Sequence, residues 1–258
     1  MADGVASEWR GGGMNSPQIS ERMRNMWDVH AATYAERIGY DLNGEQLEAW
    51  RQALAAAAGI PRGSVLDVGT GPGFLALLFS GMGYRCVGVD SSEEMLKAAL
   101  LQARGSGAQC SFMHAEAAEL PFGDNSFDVV VNRHLLWTLP EPLAAVSEWM
   151  RVLRPGGRLI VIDGMWDMAT SAAAHTGTTM GLSPQGVAAT VAARQVYCHL
   201  PMRNASAEMV MELMEQAGLR GVYSHDIERL MDADMRSRSP EKQQNYNRNR
   251  YMIVGEKR

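Results

Sequence analysis

The stretch Val65-Leu66-Asp67-Val68-Gly69-Thr70-Gly71-Pro72-Gly73 decides how this chain is read. The short apolar run from Ser64 to Val68 has the length and composition of a strand buried on both faces. The glycines that follow allow a sharp turn and the close approach of a ligand to the backbone. Phe74 to Ser80 then continues as a helix, closed by Gly81 and Gly83, and its first turn leaves N–H donors without helical partners. Asp90 ends the next strand, Arg85 to Asp90, where an acid would accept hydrogen bonds from the two ribose hydroxyls of a nucleoside. Two other glycine-loop chemistries fail on detail. A phosphate-binding P-loop needs Gly-Lys-Ser/Thr, and no lysine is near. A dinucleotide loop wants a third glycine where Phe74 stands, and that ring leaves less room for a pyrophosphate. Asp67, two residues before the first glycine, would instead meet a cationic ammonium.

The same rhythm continues on both sides. Upstream, Pro17 to Ala58 is helical in pattern and breaks into two helices, with Met23, Met26, Trp27, His30 and Tyr34 sharing one stripe. Downstream, Ser91-Ser92-Glu93-Glu94 opens a helix with N-cap chemistry. Strands are expected at Gln109–His114, Phe127–Asn132 and Arg158–Asp163, with a helix over Pro142–Leu153 stopped by Arg154-Pro155-Gly156-Gly157. Strands and helices alternating at these lengths imply an α/β fold, a parallel sheet covered on both faces. Residues 164–205 break the rhythm and suit a substrate-binding lid insertion. A Met-rich helix over Ser206–Ala217 and strands at Val222–Ile227 and Tyr251–Val254 close the chain. The expected organisation is a flexible leader at 1–16, an N-terminal helical cap at 17–60, and a ligand-binding domain at 61–258 that carries the insertion.

Composition narrows the function classes. The chain has 258 residues, 46% hydrophobic and 21% charged, enough to bury a core and unlike a disordered segment. It holds no run of about 18 apolar residues, which argues against a membrane-spanning helix. The N-terminus lacks the apolar region of a secretory signal, and three scattered cysteines make neither a disulfide framework nor a zinc cage. Reduced thiols and a cytoplasmic location are therefore expected, with Cys86 and Cys110 as inert buried thiols. Net charge is −5, although residues 236–258 hold seven Arg or Lys against two Glu. That excess fits a solvated strand and loop, so no nucleic-acid partner is expected.

Four motifs in order carry a resemblance: Asp67-Val-Gly-Thr-Gly-Pro-Gly73; Val-Gly-Val-Asp90; Leu-Pro-Phe122 before Asn-Ser-Phe-Asp-Val-Val-Val131; and Arg-Val-Leu-Arg-Pro-Gly-Gly157. Over about residues 60–165 the chain resembles class I S-adenosylmethionine-dependent methyltransferases, in particular the small-molecule branch that includes ubiquinone- and menaquinone-biosynthesis enzymes. The resemblance implies a doubly wound, Rossmann-like, seven-stranded sheet with its last strand antiparallel, and S-adenosylmethionine as cofactor. It implies that Gly69, Thr70, Gly71 and Gly73 form the loop under the methionyl part, beside Asp67. Asp90 and Ser91 would serve the ribose, and Met95 would lie against the adenine face. Glu116 and Ala117 would meet the adenine edge, although Ala115-Glu116-Ala117 departs from the family's Gly-Asp-Ala. Asn132 and Arg133 would line the methionyl end, and Tyr34 would close the cofactor site.

The implied reaction asks little acid–base chemistry, because an in-line displacement needs chiefly alignment. His134, at the carboxyl end of the fourth strand, is the candidate base for an acceptor that must lose a proton. His30, Trp137, Asp163, Trp166, His175 and Tyr197 are the candidate substrate contacts, and no metal site is expected. The expected partner is a small, aromatic or heteroaromatic methyl acceptor at oxygen or nitrogen, without a membrane and with a homodimer left open. The rivals are an RNA or protein methyltransferase that uses the basic tail, and a non-catalytic protein that binds S-adenosylmethionine.

Overall fold

A computed structural model describes residues 15–41, 44–108, 110–165, 183–197, 199–237 and 249–258. In chain order the elements are α1 (Ser16–Asp41), α2 (Glu45–Ala58), β1 (Ser64–Val68), α3 (Phe74–Gly81), β2 (Arg85–Asp90), α4 (Glu93–Ser106), β3 (Cys110–His114) and β4 (Phe127–Arg133). After a single 3₁₀ turn at Leu136–Thr138 come α5 (Pro142–Val152), β5 (Leu153–Gly164), α6 (Pro184–Tyr197), α7 (Ala207–Gln216), β6 (Arg220–His225), α8 (Glu228–Arg236) and β7 (Arg250–Glu256).

All five residues of β1 are buried, as an apolar run without alternation requires when both faces are covered. The strands form one sheet in the order β3-β2-β1-β4-β5-β7-β6. Pairing is parallel from β3 through β5, and β7 runs antiparallel to both of its neighbours. This is the expected doubly wound, mostly parallel seven-stranded fold. Successive strand residues divide between the two faces. Leu66, Val130, Leu159 and Ile253 pack under Val146 and Trp149 of α5 and Val210 and Met214 of α7. Val65, Val129, Ile160 and Val254 pack under Trp50 and Leu54 of α2, Phe74 and Phe79 of α3, and Leu230 of α8. So α2 belongs to the sheet's own covering layer. In contrast, α1 packs against α4 and α6, and Ile19, Met23 and Met26 join Trp137, Ala193 and Val196 in a separate small core.

Several boundaries differ from the sequence reading. β5 begins at Leu153, so Arg154-Pro155-Gly156-Gly157 lies inside the strand, where the pairing jumps from Phe127↔Leu153 to Val129↔Arg158. β6 starts at Arg220, two residues before the expected Val222. α6 falls within the weakly periodic insertion because its buried face is made of small residues, Gly186, Thr190 and Ala193, ahead of Val196. α8 was not anticipated, because an acid occupies its buried face: Asp234 is 3% exposed. It accepts from Arg250 Nη1 at 2.8 Å and Gln46 Nε2 at 2.6 Å.

Three of the described basic residues of the tail are engaged within the fold. Arg236 pairs with Glu45 at 2.8 Å, Arg250 with Asp234, and Lys257 Nζ donates to the Met150 and Leu153 carbonyls at 2.8 Å each. Among the described residues no helix is long and apolar enough to cross a membrane.

Trp149 joins the core to the loop after β3, since its Nε1 donates to the Ala117 carbonyl at 2.8 Å. Trp149→Phe keeps most of the ring and removes the donor. The expected loss is about 1–3 kcal/mol of unfolding free energy, read as a lower urea midpoint with an unchanged slope.

Candidate functional site

The strand order reverses at β1, which has β2 on one side and β4 on the other. Open α/β sheets leave a crevice at such a point, outside the carboxyl ends of the strands. A cavity of about 100 Å³ lies there. Val68, Gly69 and Gly71 enter it from β1 and its turn, Asp90 and Ser91 from β2, Ala115, Glu116 and Ala117 from beyond β3, and Arg133, His134 and Leu135 from β4. Ser20, Met23, Arg24, Trp27 and Tyr34 of α1, Met95 of α4, and Thr138 and Leu139 at the end of the 3₁₀ turn complete the lining.

The turn after β1 supplies the floor. Gly71 has φ +53°, and a Cβ on it would point at the Tyr34 ring, 3.8 Å from Cε1, and at Met95 Sδ, 3.9 Å away. A larger side chain there would fill the cavity. Asp90 Oδ2 accepts from Gly71 N at 2.8 Å and Oδ1 accepts from Ser92 N at 2.9 Å. A carboxylate offers about four lone-pair positions, so Asp90 retains acceptor capacity toward the cavity. Burial pushes its pKa up, those two N–H donors pull it down, and Asp28 and Glu116 push it up again. Across the cavity, Glu116 pairs with Arg24 of α1 at 2.8 Å. Ser92 Oγ, which caps α4, donates to Asp28 Oδ1 at 2.5 Å. Three carboxylates therefore gather at the β2–β3 end, and Arg133 stands at the β4 end with its guanidinium 3.7 Å over the Phe74 ring.

His134 follows β4 in a left-handed conformation, φ +58°, which is costly for a residue with a Cβ and tends to mark functional turns. Its Nδ1 lies 3.4 Å from Asp163 Oδ1, which also accepts from Gly164 N at 2.9 Å. With Asp163 as acceptor, the imidazole proton sits on Nδ1 and the lone pair on Nε2. Burial pushes the His134 pKa down to about 4; Asp163 opposes that and Arg133 adds to it. His134 is therefore neutral through the physiological range.

Several candidate residues lie away from the cavity. Asp67 does not line the cavity. It is 1% exposed, and its Oδ2 accepts from Thr70 Oγ1 at 2.7 Å and Ala76 N at 3.1 Å. Thr70 is turned inward with it. The open side of Gly73 faces Phe112 and Ala99 at 3.2 and 3.3 Å, so this glycine serves packing. Asn132 is fully buried outside the lining, with neither amide atom hydrogen bonded. Among the expected substrate contacts, His30 Nε2 meets Thr190 Oγ1 at 3.1 Å and joins α1 to α6. Trp137 and Tyr197 pack edge to face, 5.7 Å apart, beside the site. Asp163 acts on the cavity through His134. Trp166 and His175 lie outside the described residues. Arg24 and Asp28 were missed; the signal was present, since they extend the α1 stripe of Ser20, Met23 and Trp27 at helical spacing. Among the described residues no cluster of three or more His, Cys, Asp or Glu is placed to hold a metal ion.

Comparison with known proteins agrees with this geometry. A family model described as a methyltransferase domain matches residues 66–161. The ubiquinone/menaquinone biosynthesis C-methyltransferase of Bdellovibrio bacteriovorus is 30% identical over 206 residues, 77% of this chain and 87% of that protein. The demethylmenaquinone methyltransferase of Clavibacter sepedonicus is 34% identical over 139 residues, 54% of this chain and 56% of that protein. A solved S-adenosylmethionine-dependent methyltransferase from Aquifex aeolicus superposes with a TM-score of 0.54 at 21% identity, covering 86% of this chain and 97% of the other. The chain belongs to the class I S-adenosylmethionine-dependent methyltransferases.

Burial of Asp67 raises its pKa from 3.8 to about 7, against hydrogen bonds from Thr70 and Ala76 that lower it. The folded chain thus keeps a proton that the unfolded chain gives up between pH 4 and 7. Its stabilising contribution is whole below about pH 4 and is lost as pH rises to about 7. An Asp67→Asn variant can keep the acceptor without the titration. The stability difference, variant minus parent, should therefore rise with pH across this window, as denaturant midpoints taken at intervals from pH 4 to 8 would register. The opposite slope expected from His134 is common to both proteins and cancels.

Proposed function

We propose that this methyltransferase transfers a methyl group from S-adenosylmethionine to an oxygen or nitrogen of a small, planar, aromatic or heteroaromatic metabolite. The observation that carries the reading is a run of aromatic rings that starts with Tyr34 and Trp27, which share the cavity lining with the neutral His134, and continues outside the lining to Trp137 and Tyr197. Tyr34 and Trp27 lie 5.7 Å apart, Trp27 and Trp137 6.1 Å, and Trp137 and Tyr197 5.7 Å, each pair edge to face. Such a wall offers apolar area and ring edges to a flat acceptor.

The residues present fit the cofactor. Asp90 would accept from the ribose hydroxyls, with Ser91 beside it. Met95 would meet the adenine face, Glu116 would accept from the adenine amine, and the Ala117 amide would donate to the ring. The backbone of Gly69 and Gly71 would lie under the methionyl chain, Arg133 would stand at its end, and Tyr34 would close over Gly71. S-adenosylmethionine, when bound, supplies a methyl group already activated by its sulfonium. The gathered carboxylates favour a cationic ligand. A cavity of about 100 Å³ is smaller than the roughly 300 Å³ or more of typical small-molecule sites. We therefore assign α1 and the insertion at 164–205 the role of a cap that shifts on binding, with Glu116 exchanging Arg24 for the adenine amine.

His134 Nε2 would accept the acceptor's proton, while Asp163 holds the ring and its tautomer. Carbon methylation is a second reading, favoured by the carbon-methylating relative from Bdellovibrio bacteriovorus. The same deprotonation of a phenol also makes its ring carbons nucleophilic, so His134 serves either outcome. A macromolecular substrate draws less support, because Arg236, Arg250 and Lys257 of the basic tail are engaged within the fold.

Asp90→Ala should weaken S-adenosylhomocysteine binding by about 1–3 kcal/mol in calorimetric titration; unchanged affinity would remove the ribose assignment. His134→Asn, which tolerates the left-handed backbone, should lower turnover about 100-fold or more while leaving S-adenosylhomocysteine affinity intact. A near-parental rate would return His134 to a wall of the pocket. A ¹³C-labelled methyl group on the product separates oxygen, nitrogen and carbon by its chemical shift.

A further inference from the structure

Cys86 and Cys110 stand directly opposite each other in the neighbouring parallel strands β2 and β3. Both side chains lie on the sheet face covered by α2 and α3, where Cys86 belongs to the buried core and Cys110 packs against it, partly exposed. Adjacent strands run about 4.8 Å apart, within the roughly 4.4–6.8 Å between Cα atoms that a disulfide accepts. Cys86 contacts the Tyr84 carbonyl, Sγ to O 3.7 Å, and Cys110 the Ala76 carbonyl at 3.3 Å.

We propose that Cys86 and Cys110 are an oxidisable dithiol that hydrogen peroxide converts into an intrachain disulfide across β2 and β3. The two sulfurs have unequal roles. Cys86 and then Ser80 pull the Cys110 thiol below its ordinary range, against its own burial, so the more exposed sulfur is the readier of the two to lose its proton. Cys110 beside it and burial push the Cys86 thiol up, so it keeps its proton. Cys110 attacks one peroxide oxygen, the O–O bond breaks, and Cys110 becomes a sulfenic acid as hydroxide leaves. Cys86 sulfur then attacks Cys110 sulfur, the S–O bond breaks, and the Cys86 proton departs with that oxygen as water. Two thiols are oxidised and one peroxide is reduced to two waters, the hydroxide taking up the proton that Cys110 first released. The link closes the segment from 86 to 110, which carries Asp90, Ser91 and Met95 to the cavity. The inference rests on strand register and is independent of which acceptor the enzyme uses.

The test uses the full chain carrying Cys198→Ser, so that two thiols remain, treated with hydrogen peroxide and digested without reductant. The expected result is one linked peptide pair joining Cys86 to Cys110, loss of both titratable thiols, a monomer on a non-reducing gel, and reversal by dithiothreitol. In a further Cys86→Ser variant, Cys110 should give a sulfenic acid trapped by dimedone; in Cys110→Ser, Cys86 should stay unreacted. Should Cys198→Ser fail to fold, the parent chain is mapped in the same way. The proposal is overturned if both thiols survive peroxide that oxidises the urea-unfolded chain. It is equally overturned if Cys110 proceeds to sulfinic acid unlinked, or if the link forms between chains.

Discussion

Two carboxylates, the buried Asp67 of β1 and the half-buried Asp90 of β2, grip the turn between β1 and α3. Asp67 holds the Thr70 hydroxyl and the Ala76 amide, and Asp90 holds the Gly71 and Ser92 amides. Between them they fix the glycine turn and the starts of two helices, α3 and α4. The grip constrains its neighbours. A Cβ on Gly88 of β2 would stand 2.6 Å from Thr70 Oγ1, so the bond from Thr70 to Asp67 requires a glycine one strand away. The two acids divide the work by environment. Asp67 is held where burial favours its protonated form and acts through hydrogen bonds alone. Asp90 lines the cavity and keeps lone pairs facing it.

The cap over this floor is held mostly by apolar contact. Arg24 and Glu116 have side chains 35% and 43% exposed, and ion pairs of that kind contribute only about 0–1 kcal/mol. Met23 and Met26 are buried against Trp137, Ala193 and Val196, a contact of larger scale. The Arg24–Glu116 pair can therefore open at small cost while α1 stays anchored along the rest of its stripe. The pair is a weak polar latch on a strong apolar hinge.

How much of this was legible in the sequence depends on the range of the interaction. Strand, turn, helix and the terminal acid of β2 are local, and residues 64–90 read correctly because glycine and apolar runs carry strong local signals. The direction a side chain takes from a tight turn is not local in that sense. Asp67 and Asn132 look site-facing by position, yet the backbone points both inward. Register is less legible still: His134 meets Asp163, and Cys86 meets Cys110, only because the parallel pairings β4–β5 and β2–β3 align them. α8 stayed hidden because its buried face carries Asp234, answered by Arg250 and Gln46 from distant segments, where an apolar residue would have given a signal.

That dependence on register extends to the last strand. β7 sets Tyr251 opposite Asp163. The Tyr251 hydroxyl is buried and donates to the Ala205 carbonyl at 3.0 Å, and burial with the nearby Asp163 pushes its ionisation well above the ordinary range. Asp163, 2% exposed, is thereby shielded from water on the β7 side while it holds Gly164 N and the His134 ring. A carboxylate so enclosed is a stronger orienting acceptor than one in solvent, because its partners are not in competition with water. The antiparallel closure of the sheet is thus part of what holds the His134 ring in one tautomer, while its neutrality comes from its own burial, against the pull of Asp163.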